Sequence, residues 1–127
     1  MTRDRAAVGP WLRASAWGCV ALLAILSLLP AEEMVRTGLS GYVEHAVAYA
    51  GTAFLLRLGH PEHKPWRTAA ALVIYAGLLE YLQHYSPGRT PAVESWLASS
   101  VGVPIGVGGA HPVARVLRRL FLPAPGR

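Results

Sequence analysis

The sequence predicts an all-α fold, an integral membrane bundle of four transmembrane helices built as two helical hairpins with both termini in the cytoplasm. Three observations lead there. Of 127 residues, 53% are hydrophobic and only 15% are charged, where about 25% charged is usual in a soluble domain. A chain this short needs much of its length to cover a core with polar surface, so this balance argues against a water-soluble globule. The apolar residues fall in four stretches, about 11–29, 43–58, 68–85 and 93–110, each close to the ~20 residues that cross about 30 Å of hydrocarbon. Lys and Arg then collect on alternating sides of those stretches.

The first stretch opens at Trp11 and carries Arg13 near its start. Its basic beginning resembles a signal peptide, but it ends in Leu28-Leu29-Pro30-Ala31-Glu32 without a small-x-small cleavage site, so an uncleaved span is expected. Cys19 is the single cysteine, which excludes an intrachain disulfide. The second and third stretches are joined by Gly59-His60-Pro61-Glu62-His63-Lys64-Pro65, in which His60 and His63 read as solvated turn residues. In the fourth, Gly106-Val107-Gly108-Gly109 reads as packing or helix termination rather than a phosphate loop.

Beyond His111-Pro112, Val113, Val116, Leu117, Leu120 and Phe121 recur at helical spacing opposite Arg115, Arg118 and Arg119. That pattern suits either a short basic amphipathic segment on the inner leaflet or a solvated end of the fourth span. Pro123-Ala124-Pro125-Gly126 then ends any helix. The chain is thus one domain, 1–127, with a membrane core at 11–110 and a cytoplasmic basic tail at 111–127.

Charge placement sets the orientation. Arg3, Arg5 and Arg13, then Arg57, Lys64 and Arg67, then Arg115, Arg118, Arg119 and Arg127 mark one side; Arg36 and Arg89 stand alone on the other. The positive-inside rule puts the richer side in the cytoplasm. Trp11 and Trp66 then lie at the inner interface, with Tyr42, Tyr81, Tyr85 and Trp96 at the outer one. Because the net charge of +5 is spread over the ends of apolar runs instead of one groove, nucleic acid is not an expected partner.

The same orientation gathers polar groups at one membrane face. Glu44 and His45 open the second span, Glu80, Gln83 and His84 close the third, Arg89 lies in the next turn, and Glu94 and Ser95 open the fourth. Ionisable groups at such depths are costly in lipid and turn toward the bundle interior or a wet recess. Glu80, Gln83 and His84 stand at i, i+3 and i+4, on one helix face, with Ala76 and Gly77 continuing it below. His45, Ala48, Tyr49 and Thr52 share a face of the second helix, and Ser95, Ser99, Gly102 and Gly106 form a small-residue stripe on the fourth. Glu80 needs a partner at that depth, and Arg89 and His45 are the available cations. Pro87-Gly88 would set the turn that returns Arg89 over the bundle mouth. The cluster can act as an interhelical hydrogen-bond cap, as a recess for a ligand, or as a proton relay. His45, Glu80 and His84 could also ligate zinc, but no HExxH or cysteine-rich signature accompanies them, so neither metal nor cofactor is expected.

The stretch Glu80-Tyr81-Leu82-Gln83-His84-Tyr85-Ser86-Pro87-Gly88-Arg89 resembles the E-x-x-Q-x-x-x-P-G-R signature of VanZ-like membrane proteins. Ser27-Leu28-Leu29-Pro30 is similar to the end of that family's first span, and His45 with Tyr49 to the opening of its second. Where the family tends to carry Asp, Asn and Gly, this chain has Ser95, Ser99 and Gly102, with Glu94 beside the Asp place. The resemblance, over about residues 22–108, implies a multi-pass protein of the bacterial cytoplasmic membrane linked to the cell envelope and to resistance to the glycopeptide teicoplanin. It implies no established reaction.

The expected site is therefore a polar recess at the outer face for a headgroup, a lipid-linked envelope component or a glycopeptide-type ligand. Glu80, Gln83, Arg89, His45 and His84 would carry it, with Pro87, Gly88, Ser95, Ser99 and Gly102 as its framework. Two other classes compete: an enzyme on a lipid-linked substrate with His45 or His84 as base and Glu80 as acid, and an assembly protein, paired with another membrane protein or itself through the Ser95–Gly106 stripe.

Overall fold

A computed structural model gives the fold; the described residues are 3–121, with side chains from Gly9 onward. All regular structure among them is helical: α1 (Arg3–Leu28), α2 (Gly41–Gly59), α3 (Pro65–Leu82) and α4 (Val93–Phe121), with short 3-10 turns at Ala31–Glu33 and Gln83–Tyr85. The side chains of Arg3 and Arg5, and the stretch containing Pro123–Gly126 and Arg127, lie outside what is described.

The helices start where the local chemistry allows. Ser40 caps α2, its Oγ accepting from the Val43 N–H at 3.4 Å, which satisfies one of the free donors of a helix N-terminus. Pro65 opens α3 at the first helical position, where a missing N–H costs nothing. α4 gives a correction. No break occurs at His111-Pro112: of the two expected arrangements, the basic segment is the continuing end of the fourth helix, to Phe121 and through both Pro104 and Pro112, and not a separate amphipathic piece. A proline removes one i→i−4 bond and crowds the carbonyl four residues back, yet the Ala, Arg and Leu residues that follow, all good helix formers, stay helical.

Packing is built on the pair α2 and α4, with α1 laid on α2 and α3 on α4, while α1 and α3 barely touch. The two expected hairpins are thus present, joined through their second members. The α2–α4 seam is backbone against backbone: a Cβ at Gly102 would lie 2.1 Å from the Ala46 carbonyl oxygen, and one at Gly106 would lie 2.0 Å from that of Ala50. Gly102-x-x-x-Gly106 against Ala46-x-x-x-Ala50 is the small-residue pairing that lets two helices run in close contact. Ala48, expected on this face, is exposed, while Ala46, Ala50 and Ala53 make the contact. The stripe at Gly102 and Gly106 is filled by α2 and is not free for another protein.

Between α3 and α4 the indole of Trp96 closes the seam. It donates from Nε1 to the Val73 carbonyl at 3.0 Å and rests on Gly77, where a Cβ would be 3.2 Å away. Trp96 is therefore a packing residue, not part of an outer aromatic belt. Tyr42, Tyr81, Tyr85, Trp11 and Trp66 are all exposed.

Among the described residues one helix, α1 over Gly9–Leu28, is long and apolar enough by itself to cross a membrane. At its start Arg13 is latched to the α2–α3 connection, Nε donating to the Gly59 carbonyl at 2.9 Å and Nη2 to Glu62 at 3.3 Å. Trp17 Nε1 donates to His60 Nε2 at 3.1 Å, and Arg57 Nη1 reaches the His60 and His63 carbonyls. His60, with a side chain only 13% exposed, is an anchored residue and not the solvated one its turn suggested; His63 is exposed.

Gly102→Ala or Gly106→Ala is expected to destabilise the fold by about 1–3 kcal/mol through overpacking. Gly51→Ala, where nothing lies within 4 Å of the new methyl, should stabilise by about 0.5–1 kcal/mol; thermal unfolding of the purified variants checks both. The Glu62 carboxyl is held below the usual carboxylate range, first by its own backbone N–H, then by His60 and Arg13. A depressed folded-state value means its contribution is present above the unfolded pKa and lost as pH falls through the folded one. Amide exchange at His60–Lys64 should rise below about pH 4 while the α2–α4 seam stays protected.

Candidate functional site

At the end of the bundle where α1 and α3 finish and α2 and α4 begin, a recess of about 370 Å³ opens between α1, α2 and the 29–39 connection. Its walls are mostly apolar, among them Leu23, Leu26, Met34 and Val47, and its polar lining is Ser27, Thr37, Glu44, His45, Tyr49 and Arg89. A mostly apolar cavity with a few convergent polar groups is the usual form of a small-molecule site.

Arg89 is delivered by the turn Ser86-Pro87-Gly88-Arg89. The Arg89 N–H donates to the Ser86 carbonyl at 3.2 Å, and Gly88 takes φ +74°, the left-handed value that glycine alone adopts freely. The turn is docked on the end of α1: Ser86 Oγ donates to the Leu28 carbonyl at 3.0 Å, and the Ala31 N–H donates to the Pro87 carbonyl at 3.0 Å. Gly88 packs so closely there that a Cβ would meet that of Ala31 at 3.0 Å. Arg89 itself is half-buried, and its Nη1 is buried with no hydrogen-bond partner among the described residues. A desolvated guanidinium nitrogen without an acceptor is costly.

His45 enters from α2, and its Nδ1 lies 3.3 Å from Ser99 Oγ on α4. The Ser99 hydroxyl donates to the Ser95 carbonyl at 3.0 Å, so its single proton is spent. The imidazole is then the donor, with its proton on Nδ1 and Nε2 left as an acceptor. Ser99 is almost fully buried, and Ser95 contributes its backbone carbonyl.

Three expectations are corrected. Glu80 does not pair with Arg89; its Oε1 accepts from the Ala92 N–H at 2.7 Å, immediately before α4, and no ion pair joins it to Arg89 among the described residues. A carboxylate on the N-terminal donors of a helix is satisfied both by the hydrogen bond and by the helix dipole. Gln83 is buried, 4% exposed, and is not in the recess wall. His84 turns outward, its Nδ1 2.8 Å from the Tyr81 carbonyl and its ring against Tyr81. The cause is local. α3 ends at Leu82 and tightens into a 3-10 turn over Gln83–Tyr85, which advances about 120° per residue and breaks the i, i+4 alignment with Glu80. The acid–base trio His45, Glu80 and His84 is therefore not assembled, and Glu94 is exposed at the start of α4.

The sequence reading missed Thr37. Its hydroxyl donates to Glu44 Oε1 and its N–H to the same oxygen at 3.3 Å, so the connection before α2 is tied to that helix. A Thr seven residues before a Glu, across a Gly-Leu-Ser-Gly turn, is the only local signal for it.

In ¹⁵N-detected NMR, His45 should show the Nδ1–H tautomer, and Ser99→Ala should return it to a mixed population. Glu80→Ala should cost about 1 kcal/mol, as loss of a helix N-terminal acceptor does, with faster exchange of the Ala92 amide; Glu80→Gln, which keeps an acceptor, should cost less.

No protein-family model, no curated protein and no solved structure matches the chain.

Proposed function

We propose that this chain is a multi-pass membrane protein of the bacterial cytoplasmic membrane. In this reading four helices cross with both termini inside, and the Arg89 recess faces outward to bind an anionic headgroup of an envelope lipid or lipid-linked component. The observation that carries the reading is an inverted distribution of polarity. Leu22 and Ile25 of α1, Val47 of α2, Ile74 and Leu78 of α3, and Val101 and Ile105 of α4 are each more than half exposed. Ser27, Thr52, Thr68, Gln83 and Ser99 are buried. In water such a surface is an aggregation liability. In lipid it is the low-energy arrangement, because no hydrophobic force drives the helices together and small or polar residues make the contacts.

The recess supports the ligand class. Arg89 is a cation in the wall of a mostly apolar cavity, with one nitrogen lacking an acceptor among the described residues, and a phosphate or carboxylate is the group a guanidinium binds with two parallel hydrogen bonds. The carboxylate of Glu44, in the same wall, is already engaged by Thr37. The resemblance of residues 80–89 to the VanZ-like signature supports the same setting and a part in glycopeptide response.

A periplasm-active reporter fused to either terminus should be silent and a cytoplasm-active one bright. In a host with an envelope phenotype, Arg89→Ala should lower ligand binding at least about tenfold, in line with the 1.5–3 kcal/mol of a charged hydrogen bond, and Arg89→Lys should keep part of it. Unchanged binding at equal protein level would overturn the proposed role of the recess.

A further inference from the structure

The opposite end of the bundle carries a second cavity, of about 410 Å³, in the gap that α1 and α3 leave between them. Its depth is apolar, walled by Val20, Leu56 and Leu72, and Tyr75 closes the floor by donating to the Val20 carbonyl at 2.7 Å. Its mouth is polar, with the cation Arg67 beside His60 and His63 and the buried Thr68 just inside. From Arg67 to Tyr75 the helix rises about 12 Å, so charge and hydrocarbon are separated along the helix axis as they are in an amphiphile.

The mouth is arranged to favour an anion. Glu62, the nearby carboxylate, is paired with Arg13 at 3.3 Å and with His60 at 3.3 Å. Arg57 is spent on the His60 and His63 carbonyls and holds the rim in shape. Arg67 is exposed, its guanidinium 5.5 Å from the centre of the Trp66 ring. The first turn of α3 carries no acidic residue, so the positive end of its dipole adds to Arg67. His60, Glu62 and His63 bring ligand atoms within 4.8 Å of one another. However, both His60 nitrogens are engaged, by Trp17 and Glu62, and Arg13 sits on the carboxylate. That cluster serves as the scaffold of the rim rather than as a cation cage.

We infer that this groove between α1 and α3 is a binding site for an anionic phospholipid of the leaflet on the His60 side, its acyl chain lying against Val20, Leu56 and Leu72 and its phosphate at Arg67. The inference rests on the membrane reading above but on none of the residues of the Arg89 recess. A guanidinium at the rim of an apolar groove matches a phosphodiester with a hydrocarbon tail, and the groove meets lipid directly because α1 and α3 are not packed together.

The test is native mass spectrometry of full-length protein released from nanodiscs of phosphatidylcholine containing one-fifth phosphatidylglycerol, in an Arg89→Ala background that removes the other anion site. Retention of one phosphatidylglycerol in preference to phosphatidylcholine is expected, with at least a fivefold fall in Arg67→Gln and little change in Arg67→Lys. Ala71→Trp, which fills the groove from an exposed position, should abolish retention of either lipid. Millimolar inorganic phosphate should not compete, since it lacks the tail; competition by phosphate would make this a free-anion site and overturn the lipid assignment. Equal retention of both lipids, or no effect of Arg67→Gln, would also overturn it. A chain recovered without detergent would instead defeat the membrane reading, and an Arg89→Ala variant that binds like the parent would defeat only the recess.

Discussion

The close approach of α2 and α4 is the constraint from which the other arrangements follow. With Gly102 and Gly106 backed onto the Ala46 and Ala50 carbonyls, the register of the two helices is set by contact between backbones, which cannot shift without collision. One turn away, that register puts His45 beside Ser99. It also makes α2 and α4 the centre of the molecule and leaves α1 and α3 as outer members that scarcely meet. Both cavities are consequences: one between α1 and the start of α2, the other between α1 and α3.

The polar residues divide by whether the fold satisfies them. Glu80 is consumed by the Ala92 N–H, Glu44 by Thr37, Glu62 by Arg13 and His60, and Ser86 by the Leu28 carbonyl. Each of these joins two elements and stabilises the bundle. Arg89 is different, because the backbone of its turn is anchored at both ends while a nitrogen of its side chain has no acceptor. The turn fixes where Arg89 leaves the backbone, and a guanidinium nitrogen without an acceptor is a group that a ligand can satisfy.

Much of this was legible in the residues. Four apolar stretches give four helices, the Gly59–Pro65 connection is the turn between α2 and α3, and Ser99, Gly102 and Gly106 of the small-residue stripe on the last helix are buried. The Pro87-Gly88 turn has the conformation its residue types require. Arg89 and His45 share one recess with Tyr49, as their clustering at one depth suggested. Helix faces near element ends were less legible. His84 left the face of Glu80 because the last turn of α3 tightens, and Trp96 went inward because Gly77 has no side chain to exclude its ring. Pro112 did not divide α4.

By itself the sequence determined the helices, their order and the end of the bundle at which the polar groups collect, because those depend on runs and spacings within one chain segment. Tertiary structure alone decided which partner each polar group takes: Ala92 for Glu80, Thr37 for Glu44, none for Arg89 Nη1. The physical reason is range. Apolar periodicity is a property of neighbours along the chain, whereas a hydrogen bond is won by whichever donor or acceptor the packed helices bring within about 3 Å.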